Sequence, residues 1–140
     1  MVAIAPRAFA KDEQGAITDI VLPKYLVEIG EEAFKGSDVT SILMPNTVKS
    51  LGTHAFEDCK KLKEVTLSSS LTLIPMAAFR GCDALQELQV PASVTKIADL
   101  AFEASGLKEM ELPMGVETVG AGAFYNCQQL EKLAFPNSLK

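Results

Sequence analysis

LGTHAFEDCKKLKEVTLSSSLTLI, residues 51–74, runs into IPMAAFRGCDALQELQVPASVTKI, residues 74–97, and the two strings carry the same residue types at the same offsets. Ala55-Phe56, Cys59, Leu62, Val65, Leu67, Leu71 and Ile74 in the first become Ala78-Phe79, Cys82, Leu85, Leu88, Val90, Val94 and Ile97 in the second. The Ala-Phe pair occurs at this offset of the repeat six times, at Phe9, Phe34, Phe56, Phe79, Phe102 and Phe124, with spacings of 25, 22, 23, 23 and 22 residues. A fixed period of this length, with aliphatics at constant offsets, is the signature of a solenoid whose turns bury their apolar sides against one another. The chain is therefore expected to be a single domain over 1–140, six turns of about 23 residues with incomplete first and last turns.

Within a turn, Leu62-x-x-Val65-x-Leu67 alternates in and out as a half-buried strand does, which leaves Glu64 and Thr66 outward. Proline follows the strand at Pro23, Pro45, Pro91, Pro113 and Pro136, with Ser68 in its place in the third turn. It cannot donate to a ladder, so it ends pairing and opens the next bend. The stretch from Ile29 to Phe34 reads as one short helical turn that carries the Phe inward. Extra residues in Lys11 to Gly15 imply a longer surface loop in the first turn. Gly120 and Gly122 fall in the tight bend before Phe124.

The pattern Ile-Gly-x-x-Ala-Phe-x-x-Cys-x-x-Leu-x-x-Val-x-Leu-Pro-x-x-Val resembles the BspA-type leucine-rich repeat and covers essentially the whole chain. The resemblance implies an α/β right-handed, horseshoe-like solenoid with a parallel sheet on its concave face and short helical turns opposite. It also implies an extracellular or cell-surface protein, of bacteria or some parasitic protists, that acts in adhesion or binds other proteins. Departures are confined to Ser37 and Ser105 at the Cys position and Ser68 at the Pro position, and they leave the fold unaffected.

Composition narrows the function classes. A net charge of −5 opposes phosphate-rich partners, so nucleic acid is not an expected ligand. No apolar run approaches membrane-spanning length, and Met1 to Lys11 lacks the apolar core and cleavage site of a signal peptide. A surface location would thus place the export signal and any anchor in sequence outside this chain.

Cys59, Cys82 and Cys127 occupy one position of the repeat. Adjacent solenoid turns lie about 5 Å apart, within the reach of a disulfide between Cys59 and Cys82. The favoured reading is a ladder of small buried side chains, because Ser37 and Ser105 fill the same slot and free Cys behaves as a small hydrophobe. Zinc needs more ligands than the lone His54 supplies. His54 sits at a position that varies among Glu32, Ala77, Leu100 and Gly122, which marks it as surface. A Cys59 nucleophile with His54 as base would lack an orienting group and an oxyanion site. No catalytic residue, cofactor or metal site is expected, and the protein reads as a non-enzyme.

Function is expected on the outward strand positions, which stack into columns. One column reads Asp19, Ser41, Glu64, Glu87, Glu109, Lys132, and its neighbour Val21, Leu43, Thr66, Gln89, Glu111, Ala134. Carboxylates in register repel by about 1 kcal/mol at 4 Å even in water, and Lys63 and Lys108, just before the strands, are candidates to screen them. Two readings stand: a solvated surface, or a recognition face for a basic protein segment with Val21 and Leu43 as apolar contacts. Carboxylates of one column do not converge on a point, which disfavours a divalent cation.

The ends suggest a second function. The N-terminal segment from Ile4 to Phe9 matches Ile97 to Phe102, and the last residues stop where that pattern would resume. Ile4 and Phe9 at one end, and Phe124, Leu133 and Phe135 at the other, are candidate contacts for homo-oligomers stacked head to tail.

Overall fold

The computed structural model describes residues 1–11 and 17–140. Among these residues ten short strands follow in order: β1 Val2–Ile4, β2 Leu26–Ile29, β3 Ser41–Leu43, β4 Ser50–Leu51, β5 Glu64–Thr66, β6 Leu73–Ile74, β7 Lys96–Ile97, β8 Glu109–Glu111, β9 Thr118–Val119 and β10 Lys132–Ala134. They form four parallel sheets, β1-β2-β4, β6-β7-β9, β3-β5 and β8-β10. Equivalent residues of successive turns pair in register, Ile42 with Val65, Met110 with Leu133, and Ile74 with Ile97. The molecule is thus a parallel β-solenoid, as the period requires. Part of the longer loop expected over Lys11 to Gly15 lies outside the described residues.

One element departs from expectation. The segments around these six Ala-Phe pairs are turns, and among the described residues there is essentially no helix. The residue two before each Phe, namely Arg7, Glu32, His54, Ala77, Leu100 and Gly122, has φ between 54° and 65°. The residue two after is also left-handed at Gly36, Asp58, Gly81, Ala104 and Asn126, with φ between 55° and 74°. Left-handed residues so placed leave too few right-handed ones between them for a helix. A non-glycine residue in that region costs roughly 1–2 kcal/mol, so something must repay it.

The repayment is a ladder between turns. The N–H groups of Glu32, Phe34 and Gly36 donate to the carbonyls of Thr53, Ala55 and Glu57, and the same three bonds repeat at every later junction, with N···O distances of 2.7–3.1 Å. A helix would direct these donors back along its own segment, whereas the alternating conformation aims them at the next turn. Inside the ladder the Phe rings stack with centroids 5.1–5.6 Å apart and planes within 19°. Phe34, Phe56, Phe79 and Phe102 are fully buried, and Phe9 and Phe124 are half-buried at the ends of the stack. Leu62, Leu85 and Leu107, with Leu67, Val90 and Leu112, line the rest of the core, while Val65 is half-buried.

Cysteine completes the spine. The Cys59, Cys82 and Cys127 thiols donate to the carbonyls of Phe34, Phe56 and Phe102 in the preceding turns at 3.0, 3.1 and 3.0 Å. All three are free. Burial pushes the Cys59 thiol up to about 12 and that of Cys82 well above its usual range, which suppresses the reactive thiolate. Ser37 and Ser105 are likewise buried in their turns.

Close packing also dictates where strands pair. After each inner strand, the N–H of Gly30, Gly52, Ala98 and Gly120 donates to the carbonyl of Ile4, Ile29, Ile74 and Ile97. Pro75 holds the equivalent place and has no N–H to give, and β4 and β6 do not pair with each other. At Gly52 a side chain would not fit, since an added Cβ would lie 2.3 Å from the Glu31 nitrogen.

Two outcomes check this packing. Phe79→Ala, which removes a ring from mid-stack, is expected to cost about 3–5 kcal/mol, and an unchanged denaturant midpoint would contradict the spine. In the native state Cys59 and Cys82 should resist iodoacetamide and label only on unfolding. Rapid native labelling of both, read by mass spectrometry, would refute their structural role.

Candidate functional site

The outward residues of β3, β5, β8 and β10, with those of the strand-like segment 87–90, share one face. Asp19, Val21, Ser41, Leu43, Glu64, Thr66, Glu87, Gln89, Glu109, Glu111 and Lys132 are exposed there, and Ala134 is half-buried. Register puts Ser41 beside Glu64, Leu43 beside Thr66, and Glu109 and Glu111 beside Lys132 and Ala134. Val21 and Leu43 are 95% and 70% exposed, an unusual state for aliphatics this deep in a repeat pattern. A shallow groove of about 810 Å³ runs along the face, with Glu64, Glu87, Glu109 and Glu111 on its walls and Lys63 and Lys132 at its margins. A second depression of about 620 Å³ adjoins it, bordered by Lys108 and Glu131.

The face is less continuous than a single sheet. β3 pairs with β5 and β8 with β10, but the segment between them joins neither ladder. Lys108 donates its N–H to the Gln86 carbonyl. Beyond that point, among the described residues, the backbone groups of Glu87 to Val90 make no hydrogen bond.

Charge on the Phe-turn side is organised differently. The residue after each of the four inner Phe residues alternates in sign through Lys35, Glu57, Arg80 and Glu103. These side chains pair across turns, Lys35 with Glu57 at 3.2 Å, Arg80 with Glu57 at 3.7 Å and Arg80 with Glu103 at 3.2 Å. Arg7 pairs with Glu32, which also meets Lys35. Lys60 bridges Asp58 and Asp83, and Asp38 receives Lys11 and Lys61. Glu57 is buried, and its burial pushes the carboxyl pKa up, but hydrogen bonds from His54 and Lys35 outweigh this and hold it below the usual range. His54 is therefore half-buried and bonded through Nδ1 to Glu57 at 3.0 Å, whereas its variable position suggested open surface. The reason is local: a left-handed backbone at His54 turns the side chain along the turn toward Glu57.

In contrast, Glu64, Glu87, Glu109, Glu111 and Glu131 form no ion pair among the described residues, and neither do Lys63, Lys108 and Lys132. The screening expected of Lys63 and Lys108 is absent, because both stand at the mouth of the adjoining depression without closing on a carboxylate. Grooved-face charges thus remain unpaired among the described residues, while most of those beside the Phe positions, Glu31 excepted, are paired within the molecule.

Two features escaped the reading of the sequence. The alternating column at Lys35, Glu57, Arg80 and Glu103 was visible in the aligned turns as a regular change of sign. A rim of hydroxyls two residues after the proline position was visible as Pro-x-Ser/Thr. Thr47, Ser70 and Ser138 donate to the carbonyls of Leu26, Asn46 and Val116 in the preceding turn at 2.6, 2.6 and 2.8 Å, and Ser93 does so to Leu71. The residues expected to serve self-association lie apart at the two ends: Ile4 is buried, Phe9, Phe124 and Leu133 are half-buried, and Phe135 is 51% exposed. No group of His, Cys, Asp and Glu suited to a metal ion occurs among the described residues, and no helix among them is long and apolar enough to cross a membrane.

Comparison with known proteins agrees with this architecture. A leucine-rich repeat protein from Bacteroides ovatus is 32% identical with a TM-score of 0.79, over 99% of this chain and 35% of its own. A leucine rich cell surface protein from Faecalibacterium prausnitzii is 31% identical with a TM-score of 0.81, over 85% of this chain and 32% of its own. The leucine rich repeat protein of T. pallidum is 27% identical with a TM-score of 0.77, over 84% and 70% of the two chains. This chain spans about a third of the length of the first two. No curated protein matches the sequence. The family described as BspA type leucine rich repeat region matches residues 2–131 in six copies. By its repeat, its fold and that match, the chain belongs to the BspA-type leucine-rich-repeat family.

Proposed function

We propose that the chain is a non-enzymatic protein-binding module that takes a basic segment of a partner protein on its grooved face. The observation that carries this reading is the division of charge: Glu32, Glu57, Asp58, Asp83 and Glu103 on the Phe-turn side stand in ion pairs, and Glu64, Glu87, Glu109 and Glu111 do not. An unpaired acidic row destabilises the free solenoid slightly and is relieved by an incoming cation, which favours association at low salt. Val21 and Leu43 supply apolar contact at the N-terminal end of the same face. Adhesion at a cell surface follows as the setting, supported by the likeness to a leucine rich cell surface protein.

A second reading, self-assembly through the ends, is favoured by the polarity of the ladder. Every turn donates N–H groups to the turn after it, so the last described turn offers the donors of Gly122, Phe124 and Asn126. The first offers the carbonyls of Pro6, Ala8 and Ala10. These groups match a neighbouring turn, whether of the same chain or of a second copy. Light scattering of this chain across concentration separates the readings: growth of mass supports stacking, and a constant monomer mass removes it.

For the grooved face, Glu87→Lys with Glu109→Lys should weaken binding of a basic peptide at least tenfold and flatten its salt dependence. Stability should hold or rise, since like-charge repulsion is relieved. Retained binding in that variant, with loss on changing Lys60, Lys61 and Arg80, would assign recognition to the other side.

A further inference from the structure

We infer that the junction between the third and fourth turns is a hinge built into the solenoid, across which two three-turn halves bend about the Phe spine. The hinge does not depend on the grooved-face reading above, although its use in recognition does.

The third turn holds β4, Phe56 and β5, and the fourth holds β6, Phe79 and residues 87–90. Both faces of the solenoid part between them. On the face away from the groove, β1-β2-β4 ends and β6-β7-β9 begins. At the other junctions there, Lys49, Thr95 and Glu117 donate their N–H groups to Val27, Thr72 and Thr95 in the turn before. Among the described residues the equivalent N–H of Thr72 makes no main-chain bond, and Pro75 has none to give. On the grooved face, Met44 and Lys63 bond across the preceding junction to Thr66 and Thr40, but β5 has no partner in the fourth turn. Gaps elsewhere are one-sided. Residues 19–22 also stand outside a ladder, yet β1 pairs with β2 behind them, and β6 pairs with β7 behind the open far side of residues 87–90.

What crosses this junction is gathered along the spine. The N–H groups of His54, Phe56 and Asp58 donate to Met76, Ala78 and Arg80 at 2.9, 2.9 and 2.7 Å. Phe56 and Phe79 stack with centroids 5.4 Å apart, and the Cys82 thiol reaches the Phe56 carbonyl. The Arg80–Glu57 and Lys60–Asp83 pairs lie on the same side. At the opposite bend, Ser93 donates to the Leu71 carbonyl. Directional bonds thus hold the two bends, while the strands between them meet only through apolar packing, which has no directional demand. Two tethered bends define an axis, and motion about it widens one face as it narrows the other. The groove straddles that axis, with Glu64 and Thr66 from the third turn and Glu87 and Gln89 from the fourth in its lining, so bending sets its width.

Nitroxide pairs on introduced cysteines test the hinge by dipolar EPR in frozen solution. Cys127→Ser leaves the buried Cys59 and Cys82 as the native thiols. Ser41→Cys with Glu87→Cys spans the junction, and Glu87→Cys with Lys132→Cys does not; each pair is two turns, or about 10 Å, apart. The shared label at position 87 makes any local looseness of that segment common to both pairs. The spanning pair is expected to give a distance distribution about twice as wide as the other. Pro75→Ala returns the missing N–H in a side chain that Ala98 already shows to fit, and should narrow the spanning pair alone. Equal widths would overturn the hinge, as would broadening in both pairs, which would mean local mobility at residues 87–90. A wide spanning distribution that Pro75→Ala leaves unaltered would overturn it too, by removing the broken ladder as its cause. None of these results bears on whether the groove binds a basic segment, which the charge-reversal variant tests separately.

Discussion

Everything in this solenoid depends on one repeated contact, the N–H of each spine Phe donating to the Ala carbonyl beside the next Phe. That bond exists only because the residues two before and two after the Phe adopt positive φ in almost every turn. Local conformational preference argues against the arrangement, and the stack overrides it: three hydrogen bonds and one buried ring accompany each added turn. A single turn has neither, which is why the fold is a property of the array. Cys59, Cys82 and Cys127 belong to the same contact, since their thiols close on the Phe carbonyls from within.

From this constraint follows the division of labour between the two sides. Along the spine, side chains after the Phe are brought one turn apart, and a uniform charge there would oppose the ladder. Alternation through Lys35, Glu57, Arg80 and Glu103 converts that proximity into mutual support. Each exposed pair contributes modestly, in the range of about 0–1 kcal/mol, whereas the buried Glu57 would be costly without its partners. On the grooved face the same stacking brings Glu64, Glu87 and Glu109 together with no alternation. The repulsion among these carboxylates is the feature on which the proposed recognition face rests.

Much of this was legible in the sequence, and the limits are instructive. Six Phe positions and the alternation at Leu62-x-x-Val65-x-Leu67 are enough to place the core and the outward columns, because burial periodicity is a direct imprint of packing. The buried Cys slot was legible for the same reason, through Ser37 and Ser105. The bends around Phe were not: Glu32, His54, Ala77 and Leu100 carry no local signal for positive φ, since glycine alone advertises it, so a short helical turn seemed natural. His54 was misplaced on open surface because its contact with Glu57 follows from that hidden conformation. Pro75, which the proline pattern of the repeat does not include, accounts for the gap between β4 and β6, whereas nothing in the residues Glu87 to Val90 explains why their strand leaves the ladder.

Amide hydrogen exchange, resolved by residue, addresses the whole account at once. If turns are clamped along the spine and open at the groove, the amides of Phe34, Phe56 and Phe79 should be among the slowest in the molecule. Those of Glu87, Leu88, Gln89 and Val90 should exchange orders of magnitude faster, although the Leu88 and Val90 side chains are buried. Equal, strong protection at Glu87 to Val90 would mean a continuous sheet across that face, and fast exchange at the spine Phe amides would mean that the turns are held by something other than the ladder.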